Sequence, residues 1–307
     1  MVQRFDLITT LPQAIIETIL CLLPIEEAAR TSILSKEWRN HTLKKLRFNF
    51  NDQSSYGLPL SFFTSFPQLT DLDLEHCVIN HKPIFNGFGS LTRLSLSNIS
   101  ISKETLLHLL SNCPSLKSLC LLLFEEDFLS DGKPSIMELC KCLPVIEHLT
   151  TLGHIIRLKR LVQASVSKEL PTSLIHLKYV CIEQMCFVDG YGLPFLAVLT
   201  KCCPNLEKIK LVIDTDWNNE NEKVSAVLEE YSDVWLEHMK VLEIDFFRNF
   251  RPELEFVKFI LARSPSLRKV ILLTCMVDKN TDLEILRSLL NAPCSSPVKI
   301  VVRNRCE

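Results

Sequence analysis

One phrase recurs along this chain of 307 residues: an apolar residue, two variable positions, an apolar residue, one variable position and another apolar residue. The clearest copies are Leu69, Leu72 and Leu74 in LTDLDL, Leu91, Leu94 and Leu96 in LTRLSL, and Leu116, Leu119 and Leu121 in LKSLCL. Leu206, Ile209 and Leu211 in LEKIKL and Leu267, Val270 and Leu272 in LRKVIL match as well. Leu177, Val180 and Ile182, and Met239, Leu242 and Ile244, fit with conservative changes, and a weak copy starts at Ile146 in IEHL. Successive copies begin at residues 69, 91, 116, 146, 177, 206, 239 and 267, so a unit of structure repeats every 22 to 33 residues.

That interval straddles and slightly exceeds the period of leucine-rich repeats, roughly 20 to 29 residues. The last two apolar positions of the phrase are two apart, as on one face of a strand, so they point into a core while the residue between them faces outward. Between the phrases lie helical patterns such as SKETLLHLLSNCP, where Leu106, Leu109 and Leu110 sit at i, i+3, i+4 spacing. Pro114, Pro204 and Pro265 stand just before a phrase, where a residue that cannot continue a helix is well placed. One unit is therefore helix, turn and short strand. No unit can bury both its faces alone, so neighbours must stack. The expected fold is α/β: a leucine-rich repeat solenoid over residues 51–251, with parallel strands on its concave side and helices on its convex side.

Residues at about 214–237 break the pattern. Asp214, Asp216, Glu220, Glu222, Glu229, Glu230, Asp233 and Glu237 stand there against Lys223 alone. Val224, Val227, Leu228, Tyr231, Val234 and Trp235 keep helical spacing, which predicts an acidic insertion leading into an amphipathic helix with a solvated face.

Residues 1–50 show three closely spaced helical patterns and no strand phrase in this reading. Helix one begins near Pro12 and carries Ile15, Ile16, Ile19, Leu20, Leu22 and Leu23 before Pro24 ends it. Helix two, IEEAAR, sets Glu26 and Glu27 at its positive end and Arg30 at its negative end. Helix three runs from about Ile33 to Leu46, with Leu34 and Trp38 one turn apart. Three helices this short cannot enclose so many large apolar side chains. Those left over face either a partner or the first repeat, and spacing alone does not choose.

The string DLITTLPQAIIETILCLLPIEEAARTSILSKEWRN, Asp6 to Asn40, closely resembles the F-box of plant F-box proteins, with LP, a run of Ile and Leu, a second LP, AARTS and LSKxW in that order. Ser35 stands where many animal F-boxes have cysteine, a departure ordinary in the plant branch. The stretch from Pro252 to Val302 is similar to the FBD region that follows the repeats in many such proteins, which makes residues 252–307 an FBD-like region continuing the repeats. The resemblance implies a three-helix F-box at 1–50 that docks on a Skp-type adaptor and, through it, on cullin and RING subunits. Leu11, Pro12, Ile16, Ile19, Leu20, Leu23, Pro24, Leu34 and Trp38 become the residues expected to enter the adaptor interface or fix its helices. The repeats would hold an unknown protein target for ubiquitination. A repeat scaffold acting without a ligase is the alternative reading.

Composition narrows the partners. With 34 basic and 36 acidic residues the chain carries no global field toward nucleic acid or an anionic membrane. The most apolar stretch, Thr105 to Phe124, is interrupted by His108, Asn112, Pro114 and Lys117, each costly at mid-bilayer. The N-terminus has no basic stretch followed by an apolar core, so a cytoplasmic and/or nuclear location with reduced thiols is expected. Among thirteen cysteines no Cys-x-x-Cys occurs, and neither G-x-S-x-G nor a Walker-type loop is present, so no metal, no cofactor and no enzymatic activity are expected. Binding then falls to the outward residues of the phrases. These are Asp71, Asp73, Arg93, Ser95, Lys117, Lys208, Lys210, Glu243, Arg268 and Lys269, acidic in the first repeat and mostly basic afterwards, as for a target with an acidic patch.

Overall fold

Each phrase becomes a short parallel strand because its second and third apolar residues both reach the same side of the pleat. The computed structural model describes residue 15 and residues 44–49, 56–58, 68–79, 88–123, 136–152, 174–187, 192–214, 234–274 and 279–304. The chain divides into two compact units, Met1–Gly132 and Lys133–Glu307.

In the first unit, β1 (Lys45–Asn49), β3 (Asp71–Glu75), β5 (Arg93–Ser97) and β7 (Ser118–Leu122) run parallel in that order. Leu46 pairs with Leu72, Leu72 with Leu94, and Leu94 with Leu119, so the phrases stack without slippage. A smaller parallel sheet joins β2 (Tyr56–Gly57), β4 (Cys77–Ile79) and β6 (Ser100–Ile101). His76 and Asn98 lead from one sheet to the other. Each takes a left-handed backbone, φ 57° and 52°, and each donates its N–H to the next repeat, to Ser97 O at 3.1 Å and Leu122 O at 2.7 Å. Helix α1 (Lys103–Ser111) starts where the Ser102 hydroxyl accepts from the Thr105 N–H, and it buries Leu106, Leu109 and Leu110.

In the second unit, β8 (His148–Leu152), β9 (Tyr179–Met185), β10 (Lys208–Ile213), β11 (Val241–Phe247), β12 (Lys269–Thr274) and β13 (Lys299–Asn304) are parallel and adjacent in sequence order. Helix α2 (Ile136–Cys142) precedes β8, while α3 (Gly192–Cys202), α4 (Arg251–Arg263) and α5 (Lys279–Leu290) connect β9 to β10, β11 to β12 and β12 to β13. The weak phrase at Ile146 is a full repeat, with Ile146, Leu149 and Thr151 all buried.

Two backbone devices recur. Before many of the strands a tight turn closes on one hydrogen bond, from Leu91 N to Phe88 O, Leu116 N to Cys113 O, Leu206 N to Cys203 O, Met239 N to Leu236 O and Leu267 N to Ser264 O, among others. The carbonyl just ahead of the strand then accepts two successive N–H groups of the next repeat. Lys178 O takes Glu207 N at 2.8 Å and Lys208 N at 3.0 Å, and Lys240 O takes Arg268 N at 2.9 Å and Lys269 N at 3.2 Å. Side chains link some turns: Ser115 Oγ donates to Gly89 O, and Asn205 Nδ2 to Ile175 O.

Three expectations change. Helix three was expected to reach about Leu46, but Lys45–Asn49 is strand β1, because LKKLRF from Leu43 is a further copy of the phrase. A last copy at Pro297, Ile300 and Val302 forms β13 inside the FBD-like region. The helix expected in the acidic insertion does not include Val234 and Trp235, which lie in irregular chain leading to the turn at Glu237–His238, while residues 215–233 lie outside the described residues.

Glu253, fully buried in the first turn of α4, accepts the N–H groups of Arg248 at 2.8 Å and Phe250 at 3.4 Å. Burial pushes its carboxyl up to about 7 against the pull of these donors and of the Arg248 guanidinium. A pKa raised on folding stabilises the fold fully below the unfolded value near 4.5 and loses that contribution as pH rises through 7. Relative to Glu253→Gln, the wild-type chain should therefore lose on the order of 3 kcal/mol of stability between pH 4.5 and 8, read by denaturant unfolding at each pH. In the sheet, Leu94→Ala should cost about 2 to 5 kcal/mol in the same measurement, since Leu94 is wholly buried between Leu72 and Leu119.

Candidate functional site

The stacked phrases place every second strand residue on the outer face, and register sorts those residues into rows. In the first unit one row holds Lys45, Asp71, Arg93 and Ser118, and the next Arg47, Asp73, Ser95 and Cys120. Arg47 Nε lies 3.0 Å from Asp73, and Arg93 Nε lies 3.5 Å from Asp71. The acidic pair of the first repeat is thus held between arginines of its two neighbours.

In the second unit the corresponding rows are His148, Tyr179, Lys208, Val241, Lys269, Lys299 and Thr150, Cys181, Lys210, Glu243, Ile271, Val301. The rings of His148 and Tyr179 sit 5.9 Å apart, and the Lys208 ammonium lies 5.6 Å from the Tyr179 ring centre. Lys208 and Lys210 both reach Glu243, at 2.7 and 3.1 Å, and Lys210 also reaches Asp245 at 3.3 Å. Burial by itself would raise the Glu243 carboxyl, yet hydrogen bonds from Lys208 and Lys210 hold it below the ordinary range. Burial likewise lowers Lys210, and Glu243 with Asp245 more than reverses it. Burial pushes the Cys181 thiol up to about 12, Cys77 to about 12 and Cys113 to about 11, which favours the protonated thiol at all three.

One position ahead of the strands runs a further row, Glu147, Lys178, Glu207, Lys240 and Arg268. Lys178 meets Glu147 at 3.0 Å and Lys240 meets Glu207 at 2.7 Å. The hydrogen bond from Lys240 holds Glu207 below its ordinary range, and that from Lys178 to Glu147 raises Lys178.

Of the residues named from sequence, Asp71, Asp73, Arg93 and Ser95 lie together on the outer face of the first unit, and Lys208, Lys210, Glu243 and Lys269 on that of the second. Lys117 and Arg268 do not join those rows; they sit in the row just ahead of β7 and β12. Sequence reasoning missed Arg47, Tyr179, Asp245, Lys299 and Arg303 on this face. The phrases beginning at Leu43 and Pro297 would have found Arg47 and Lys299. The reading of acidic-then-basic charge also changes, because Asp71, Asp73, Lys208 and Lys210 are all matched by ions on adjacent strands. Leu11, Pro12, Ile16, Ile19, Leu20, Leu23, Pro24, Leu34 and Trp38 lie outside the described residues. Their neighbour Ile15 is helical and 46% exposed. Among the described residues no helix is long and apolar enough to cross a membrane, and no group of three metal-ligating side chains is present.

A double-mutant cycle of Lys210→Met and Glu243→Gln should return a coupling of about 1 kcal/mol, above that of exposed pairs because both groups are half-buried. Unfolding curves of the four proteins measure it.

The family model for "FBD-associated F-box protein At5g56370, LRR repeats" matches residues 20–191. The chain is similar to the F-box/FBD/LRR-repeat protein At1g13570 of Arabidopsis thaliana, 27% identical over 95% of this chain and 97% of that one. It is 28% identical to the putative F-box/FBD/LRR-repeat protein At4g13965 of the same plant, over 66% of this chain and 42% of that one. Against the putative FBD-associated F-box protein At1g55030, also from Arabidopsis thaliana, identity reaches 34% over 31% of this chain and 20% of the other.

Proposed function

Because the chain belongs to the plant family of FBD-associated F-box proteins with leucine-rich repeats, we propose that it is the substrate-recognition subunit of a Skp-cullin-F-box type ubiquitin ligase. In this reading a three-helix F-box within residues 1–50, ahead of β1, docks on a Skp-type adaptor and through it on cullin and RING subunits. The repeats at 51–251, continued by the FBD-like region at 252–307, hold the target. The chain itself is non-catalytic, needs no cofactor and works in the cytoplasm, the nucleus or both. Leu11, Pro12, Ile16, Ile19, Leu20, Leu23, Pro24, Leu34 and Trp38 carry the adaptor contact.

The observation that carries the reading is the surplus of large apolar side chains in so short an N-terminal module. At roughly 1.5 to 3 kcal/mol gross per buried large apolar side chain, about five or six anchors outweigh the freedom lost on association. Ile15, exposed on a helix there, is in keeping with it.

Leu11→Ala combined with Pro12→Ala should cut co-purification of a Skp-type adaptor at least about tenfold while leaving the repeats folded. Full recovery of adaptor by that double variant would end the proposal. Removing residues 1–40, which spares β1, separates a docking module from a solenoid cap: the repeats should still unfold cooperatively if the module docks, and aggregate if it caps.

A further inference from the structure

On the outer face of the second unit, the lysines of β10 meet the carboxylates of β11, but β12 and β13 break this matching. Those two strands, KVILLT and KIVVRN, contain no acidic residue at all. Lys269 and Lys299 are direct partners across the pair, and Arg303 lies opposite Leu273. Arg268 precedes them at the same edge. All four cations are exposed, and among the described residues none of them forms an ion pair, the carboxylates of β11 being taken by Lys208 and Lys210. Like charges set directly opposite destabilise a sheet, so this arrangement differs in sign from the ion pairs described above.

The same edge is unfinished in two other respects. Among the described residues β13 pairs only with β12, which leaves one row of its N–H and C=O groups open. Its inward residues Ile300 and Val302 are half-exposed, although their partners Val270 and Leu272 are fully buried. On α5, which packs against β13, Leu283 and Leu290 are 52% and 70% exposed.

We propose that β13 is the docking edge for an extended acidic and aliphatic segment of the target protein, which joins the sheet as one more strand. This rests on the reading of the chain as a target receptor and gives that target a chemistry. Side chains alternate along a strand, so a segment laid beside β13 presents one set to the outer face and the other to the inner. Carboxylates on the outer face meet Lys299 and Arg303, which are four residues apart with Val301 between them. Aliphatic residues on the inner face cover Ile300 and Val302. The recognised pattern is acidic, aliphatic, any residue, aliphatic, acidic. Main-chain hydrogen bonds supply affinity, and the unmatched cations exclude basic segments.

Lysines on an open edge also keep sheets from pairing with one another, and that role by itself predicts no ligand. A displayed library of random twelve-residue peptides, panned against the full chain bound to its adaptor, distinguishes the two. The expected outcome is enrichment of the alternating acidic and aliphatic pattern. A labelled peptide made from an enriched clone should lose at least about tenfold in affinity on Lys299→Glu with Arg303→Glu, keep it on Lys141→Glu with Arg251→Glu, and slow hydrogen exchange over residues 299–304. Should the charge reversal unfold the chain, Lys299→Ser with Arg303→Ser gives the same comparison. No enrichment, enrichment of neutral or basic peptides, or binding unchanged by both variants overturns the proposal. Loss of peptide binding with the adaptor retained strikes this inference alone. Loss of the adaptor with acidic peptides still captured strikes the ligase reading alone.

Discussion

Just ahead of most repeat strands one carbonyl oxygen accepts two successive N–H groups from the repeat that follows, as Lys178 O does from Glu207 and Lys208 and Lys240 O does from Arg268 and Lys269. This shared acceptor sets where a strand begins relative to its neighbour. A slip by one residue would send the leucines outward and the lysines inward, so the register carries the whole side-chain arrangement with it. With it fixed, Leu72 meets Leu94, Ile209 meets Leu242, and Val270 meets Ile300. The tight turns that lead into many of the strands, each closed by a single hydrogen bond, recur at the same place relative to that carbonyl.

Register also determines the outer face. Charges far apart in sequence become neighbours one strand spacing apart, and most are of opposite sign: Arg47 with Asp73, Lys178 with Glu147, Lys208 and Lys210 with Glu243. A face neutralised in this way is well hydrated and weakly attractive to any one partner. Among the described residues, its outer surface gains contrast at β12 and β13, where cations accumulate without carboxylates of their own. The likeness between the phrases thus hides a difference in charge that only the sign of adjacent residues reveals.

Much of this was legible in the residues. The phrases from Leu69 onward located their strands, and the Leu106, Leu109 and Leu110 stripe located α1. The weak phrase at Ile146 was real because a buried Thr151 can occupy the third apolar place without changing the fold. The strand at Lys45 was obscured by a different cause. Its phrase, LKKLRF, directly follows an amphipathic helical pattern, and Leu46 satisfies both periods until pairing with Leu72 decides between them. Val234 and Trp235 fit a helical spacing in the same way, but the chain there must already be turning toward Met239.

The sequence by itself determined the kind of repeat, the number of residues between strands and the face on which each residue stands, because these depend on local period and on turn chemistry. Its N-terminal string, through resemblance, also pointed to the family. Only the tertiary structure decided which charges cancel and which do not. Asp71 and Arg93 are 22 positions apart and Lys210 and Glu243 are 33 apart, and Coulomb energy follows distance in space rather than along the chain. The lysines on β10 and those on β12 and β13 look alike in sequence, yet the first pair faces a carboxylate and the second faces another cation.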